Sequence, residues 1–307
     1  MLPFRLVYHE DYFLNLGHHV FSSEKFRLIH DRLLADKFAA ADDFVAPEPA
    51  PDEDLELVHD RGWVHRLKTG TLSYEEILHL EIPYSPEMAR AFCLAAGGTT
   101  LAAHLALEHG VSYNVGGGFH HAYPDHGEGF CAINDIGVAI RKLQREKKIE
   151  RAMVVDCDNH HGNGTAAIFA GDPTVFTLSI HQYNNYPAFK PPSTVDVHLA
   201  DGVGDDEYLE RLSAAYRFPI HGFHPDLVVY VAGADPYCED QLGGLDLSLE
   251  GLKRRDLLVI EAALREKAAV VVVLAGGYAI NLQDTITIHC NTAKAAKEAL
   301  EKAGWKN

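Results

Sequence analysis

Apolar residues along this chain gather into two kinds of run. Arg5 to His9, Val111 to Val115, Ala152 to Asp156, Thr174 to Ile180, Leu227 to Ala232 and Ala269 to Leu274 are short runs that read as strands. Several are apolar at every position rather than at alternate ones, as strands of a parallel sheet covered on both faces are. Helical patterns lie between them. Pro86 to Glu108 is rich in Ala and Leu, and Ile133 to Lys147 is amphipathic. Ser248 to Lys267 opens with Ser248-x-x-Gly251 and carries Leu249, Leu252, Leu257, Leu258 and Ile260. Thr292 to Ala303 shows a Lys/Glu outer face and stops at Gly304. Strands alternating with helices predict an α/β fold of three layers, with a doubly wound, mostly parallel sheet. The Pro-rich stretch from Pro47 to Asp54 reads as an extended surface loop, since no separate core precedes it, and residues 1–307 are expected to form a single domain.

Polar clusters follow four of the strand-like runs. The most informative is Asp156-Cys157-Asp158-Asn159-His160-His161-Gly162-Asn163-Gly164. In extended chain alternate side chains share a face, which sets Asp158 beside His160. Alone, such a cluster is as readily a turn or a helix cap. It is not alone. Asn114 to His121 ends in a His-His pair, the run from Val228 closes on Gly233-Ala234-Asp235, and the run from Val270 closes on Gly276-Gly277-Tyr278. In a doubly wound sheet all four lie at the carboxyl edge, where ligands bind. Asp158, His160 and Asp235 offer a divalent metal two carboxylates and an imidazole, with a position left for water. His120 and His121 are candidates for moving a proton, or alternatively for further ligation. Asp156 and Asn163 are candidates to stand behind these histidines and set their tautomers. The Tyr278 hydroxyl would stabilise a carbonyl oxygen as it becomes negative, although a lone tyrosine here also suits a core. Together these parts predict a metal-dependent amidohydrolase.

Composition narrows the partners. A net charge of -17 opposes general binding to nucleic-acid backbone, which needs basic side chains. No run approaches the ~20 apolar residues of a membrane span, and the first residues lack a signal-like apolar stretch. Five cysteines with no Cys-x-x-Cys spacing suit a reducing compartment, so a cytoplasmic protein without membrane or nucleic-acid partners is expected. Rival motifs fail: His121 occupies the third-glycine position of a dinucleotide loop, and neither a phosphate loop nor Gly-x-Ser-x-Gly is present.

The ordered set Val58-His59-Asp60, the His120-His121 loop, Gly127-Glu128-Gly129-Phe130-Cys131, Asp156 to Gly164, Gly233-Ala234-Asp235 and Gly276-Gly277-Tyr278 resembles the histone deacetylase superfamily, bacterial deacetylase-like members included. The resemblance implies an arginase-like α/β fold and removal of acyl groups, acetyl or longer, from lysine side chains or related amines. By position it implies zinc, with ferrous iron as an alternative, on Asp158, His160 and Asp235. It also implies His121 as main base and acid with His120 its electrostatic partner, and Tyr278 as carbonyl-polarising group. Gly129, Phe130 and Tyr186 would line the acyl-lysine channel. A structural potassium would take Asp156, Asp158, His160, Ser179 and the carbonyl of Ile180. Asn163 replaces the Asp of class I members. The Asn114 to His121 stretch and the short segment from Tyr186 to Thr194 look most like class IV, which points to acyl groups longer than acetyl, whereas His161 replaces a Gln of the animal class IV enzyme. Three other readings stay open. An acetylpolyamine or other small-amide deacetylase suits the acidic surface. A dimetal ureohydrolase would want Asp-x-His-x-Asp rather than Asp-x-Asp-x-His. A catalytically silent acyl-amine binder would be expected to have lost a ligand or Tyr278.

Overall fold

Residues Val270 to Val273 are all buried, yet they serve two different cores: Val270 and Val272 pack into one apolar cluster, Val271 and Val273 into another. That division is the reason for an unbroken apolar run, because alternate side chains leave opposite faces of a strand. The computed structural model describes residues 2–305. Its sheet has eight strands: β1 (Arg5–Val7), β2 (Phe44–Val45), β3 (Val111–Asn114), β4 (Ala152–Asp156), β5 (Val175–Gln182), β6 (Val195–Leu199), β7 (Leu227–Val231) and β8 (Ala269–Val273). They run in the order β2-β1-β3-β8-β7-β4-β5-β6, and every pairing is parallel. Helices Pro86–His109 and Asp135–Arg145 pack together over one face through Ala102, Ala106, Ile136, Ile140 and Leu143. Helices Glu24–Ala35, Asp205–Phe223, Leu249–Arg265 and Leu282–Ala303 form the other layer.

The six expected strands and four expected helices are present, with ends displaced by a few residues. The exception is the last helix, which starts at Leu282 with Asn281 as its cap, ten residues before the expected Thr292. Buried Thr285, His289 and Thr292 put polar side chains on its inner face and hide the periodicity. Strand β6 went unexpected because Asp196 and His198 alternate with half-buried Val195 and Val197 at the sheet's edge. Helix Asp205–Phe223 holds Pro219, which argues against a helix when read locally.

Two expectations need correction. The stretch from Pro47 to Asp54 is not a free surface loop: the Ala50 amide donates to the Cys93 carbonyl of helix Pro86–His109, and a short helix begins at Asp52. That same helix is, by length and composition, long and apolar enough to cross a membrane, contrary to the sequence reading. Here 61% of its most apolar window is buried inside the protein, which makes it a central core helix in this fold.

Candidate active site

Four neighbouring strands, β3, β8, β7 and β4, deliver the polar clusters to one edge. Asp158 and His160 follow β4, Asp235 follows β7, Tyr278 follows β8, and His120 and His121 follow β3. One ligand atom from each of Asp158, His160 and Asp235 lies within 4.8 Å of the other two, and all three residues are buried. His160 Nδ1 stands 3.1 Å from Asp158 Oδ1 and 3.0 Å from Asp235 Oδ2. Backbone amides hold the carboxylates: Gly276 N donates to Asp158 Oδ2 at 2.8 Å and Asn159 N to Asp235 Oδ1 at 2.9 Å. Gly276 must lack a side chain, since a Cβ there would collide with both carboxylates.

This donor set fits a divalent cation. Burial, then the charge of Asp158, pushes the Asp235 carboxyl up to about 7. Burial also opposes ionisation of Asp158, but His120 and His160 outweigh it and hold that carboxyl well below its usual range. Two buried carboxylates facing one imidazole form a centre short of positive charge, and an O/O/N set with a free position suits zinc or ferrous iron. Of the residues expected to hold potassium, Asp158 and His160 belong to this trio, Asp156 and Ser179 are register partners in β4 and β5, and Ile180 follows Ser179.

The two histidines differ in what stands behind them. His120 Nδ1 is 2.7 Å from Asp156 Oδ2, and His121 Nδ1 is 2.7 Å from Asn163 Oδ1. Burial favours neutral His120, yet Asp156 and Asp158 push it up to about 9. His121 is held well below the usual histidine range by burial, then by the neighbouring His120 and His160. The carboxylate partners of His120 thus favour its charged form, whereas the surroundings of His121 favour the neutral form. The Tyr278 hydroxyl is pushed well above its ordinary range by burial and by Asp158 and Asp235, so it stays a donor.

Gly129, Phe130 and Tyr186, the expected channel residues, line one channel of about 210 Å³ with His121, His160 and Tyr278 at its foot. Gly129 has φ +52°, and a Cβ there would come within 2.9 Å of both the Tyr186 and His121 rings. Glu81, Asn185 and Leu242 complete the wall and carried no signal in the sequence. By contrast, His59 stands outside the channel: it bridges the Tyr123 carbonyl and the Asn134 amide and pins the loop that carries the histidine pair. Behind Phe21 and Phe119, which also border the site, lies an apolar cavity of about 10 Å³, room for one water-sized group at most. The class IV likeness had suggested space for a longer acyl chain, and this pocket offers it only if those rings move.

Three positioning residues were missed. Asp240 accepts from the Tyr278 amide at 2.6 Å and from the Leu242 and Gly243 amides. Lys25, buried, donates to the Ala275 carbonyl at 2.7 Å beneath the Tyr278 ring. Glu128 accepts from Asn163 Nδ2 at 2.8 Å and from the Tyr186 hydroxyl at 2.9 Å. Burial works against its charge, but bonds from His126, Tyr186 and Asn163 keep the carboxyl below its ordinary range. Glu128 thus supplies, one residue further out, the negative charge that Asn163 lacks. Its place inside Gly127-Glu128-Gly129 was the only hint in the sequence. Glu128→Gln should lower turnover about tenfold, within the range for partners behind a working group, with little change in KM. Unchanged turnover would reduce Glu128 to a prop for Tyr186.

A family model described as the histone deacetylase domain matches residues 19–293. An uncharacterised protein of Picosynechococcus is 40% identical over 298 residues, covering 97% of this chain and 99% of its own. Histone deacetylase 2 of Arabidopsis thaliana is 33% identical over 269 residues, covering 85% of this chain and 70% of its own. Among solved structures, the HD domain of HDA15 superposes with a TM-score of 0.78 at 23% identity, covering 96% of this chain and 87% of that one.

Proposed function

Because this chain belongs to the histone deacetylase family, we propose that it hydrolyses the amide of an acylated lysine side chain or a related acylated amine. The observation that carries this reading is that His160 of the Asp158, His160 and Asp235 trio lines one channel together with His121, which its surroundings keep neutral, and Tyr278. A zinc or ferrous ion on Asp158, His160 and Asp235 would acidify a water and polarise the acyl carbonyl. The residues do the rest. An aliphatic stem passes between Phe130 and Tyr186 with Gly129 as the third wall. His121, tied at Nδ1 to Asn163, takes a proton from the attacking water at Nε2 and later returns it to the leaving amine. His120, charged beside Asp156, offsets negative charge that builds on the carbonyl oxygen. Tyr278 donates a hydrogen bond to that oxygen. A potassium ion on Asp156, Asp158, His160, Ser179 and the Ile180 carbonyl would brace the loop from beneath. Five free cysteines support a reducing, cytoplasmic setting for this activity.

Tyr278→Phe tests the oxyanion role, since it removes one donor at nearly constant volume. Turnover should fall roughly 10²-fold or more while metal content stays unchanged. A variant that only raised KM would make Tyr278 a packing residue of the channel.

The activity itself is tested on purified, zinc-loaded protein with acetyl-lysine peptides, octanoyl-lysine peptides and acetylated polyamines. Hydrolysis of none of them by protein carrying its metal would leave the silent acyl-amine binder as the better reading. Glu81 on the channel wall and the net charge of -17 favour polyamines as a second substrate class. The small cavity behind Phe21 and Phe119 favours acetyl over octanoyl. Each methylene that did find a dry place there would add up to ~0.8 kcal/mol, so faster octanoyl cleavage would show that the two rings yield.

A further inference from the structure

The open edge of the sheet carries a second group of metal-ligand side chains that the hydrolytic site does not use. His161 follows His160 in the loop after β4, and its Nε2 lies 3.1 Å from Asp196 Oδ1 on β6. His181 of β5 packs edge-on to His161, with ring centroids 4.6 Å apart. One donor atom each of His161, His181 and Asp196 falls within 4.8 Å of the other two. Among the described residues, the other trio that meets this measure is Asp158, His160 and Asp235. A fourth donor stands beside it, for His198 Nδ1 is 2.9 Å from His181 Nε2.

Strand register accounts for the cluster. Ser179 is paired with Asp196 and His181 with His198, so alternation puts all four on one face of the β5–β6 pair. His181 Nδ1 lies 2.9 Å from Ser179 Oγ, which ties that nitrogen and leaves Nε2 facing His198. An imidazole that binds a metal through one nitrogen commonly has its other nitrogen tied in this way. His161 Nε2, which also lies 3.3 Å from Ser193 Oγ, is the nitrogen it turns to Asp196, and His181 Nε2 and His198 Nδ1 face each other with one proton between them.

We propose that His161, His181, Asp196 and His198 form a second divalent-metal site, separate from the hydrolytic one and suited to zinc. Ligands 2.0–2.1 Å from a tetrahedral ion stand about 3.3 Å from one another, and the 3.1 Å and 2.9 Å edges are already close to that. Three imidazoles and one carboxylate suit zinc, whereas calcium and magnesium want oxygen throughout. Asp196 and His198 border an open groove with Tyr183, Asn184 and Lys190, so the ion reaches the site from solvent. The ion joins the loop bearing His160 to the roots of the 183–194 connection. That connection carries Tyr186, whose ring centroid is 5.0 Å from that of His121. Its role is to hold the channel wall in register with the hydrolytic centre.

The test is a metal count on full-length protein stripped by chelator and reloaded with zinc alone. Wild type should hold two ions per chain, Asp196→Ala one and Asp235→Ala one. A single ion in wild type, or two in Asp196→Ala, overturns the proposal. If Asp235→Ala keeps both ions while Asp196→Ala loses one, the hydrolytic trio fails and this site stands. Should Asp196→Ala not fold, His198→Ala at its exposed position replaces it. That variant should weaken one of the two zinc affinities at least about tenfold, the loss that even an outer partner causes. Two unchanged affinities would overturn the site as well.

Discussion

Asp235→Ala should abolish hydrolysis, by at least about 10³-fold, and remove one divalent ion per chain. The loss of a direct ligand should exceed the 10- to 100-fold that follows removal of a partner behind a ligand. Asp235 is wholly buried and bonded to His160 Nδ1 and the Asn159 amide, so no solvent or neighbouring carboxylate takes its place. The fold should survive, because Asp235 lies past the end of β7, beyond the apolar registers that hold the sheet together. Metal analysis beside thermal unfolding separates the outcomes. A folded variant with wild-type metal content would remove Asp235 from the site.

His121→Ala should lose more turnover than His120→Ala, and at least ~10²-fold against wild type, as expected for a positioned general base. The resemblance assigned these roles by position, and spacing cannot separate adjacent residues. Their surroundings can. His121 is backed by a neutral amide and kept neutral by burial and two neighbouring imidazoles, which suits a proton acceptor. His120 is backed by a carboxylate and kept charged, which suits a fixed positive charge beside a developing oxyanion. Single-turnover rates measured from pH 6 to 9, about two units around an ordinary histidine pKa, read the chemical step directly. Near-normal rates for His121→Ala across that range would transfer the base role to another group.

Much of the framework was legible without coordinates. Ala152–Asp156, Leu227–Val231 and Ala269–Val273 lie at the centre of the sheet with both faces covered, so burial alone dictates their composition and makes them readable. The candidate site residues were legible for a related reason. Each metal-ligand, histidine and tyrosine candidate lies within seven residues of a strand end, and parallel strands bring all their carboxyl ends to one edge. What stayed hidden lies at the margins or acts through others. Strand β6 alternates because it is an edge, and Lys25, Glu128 and Asp240 touch the chemistry only through the Ala275 carbonyl, Asn163 and the Tyr278 amide.

The sequence by itself determined six of the eight strands, four of the helices, the parallel character of the sheet, and the identity of the metal-ligand, histidine and tyrosine candidates. Local periodicity and strand-end position carry that information within a few residues of each site. Only the tertiary structure decided which carboxylate or amide backs which histidine, how little room lies behind Phe119, and that His161 meets His181, Asp196 and His198. Those facts depend on strand order β7-β4-β5-β6 and on register between segments far apart in the chain. A shift of one residue between β5 and β6 would turn Asp196 and His198 to the opposite face and dissolve the second cluster, although no residue had changed.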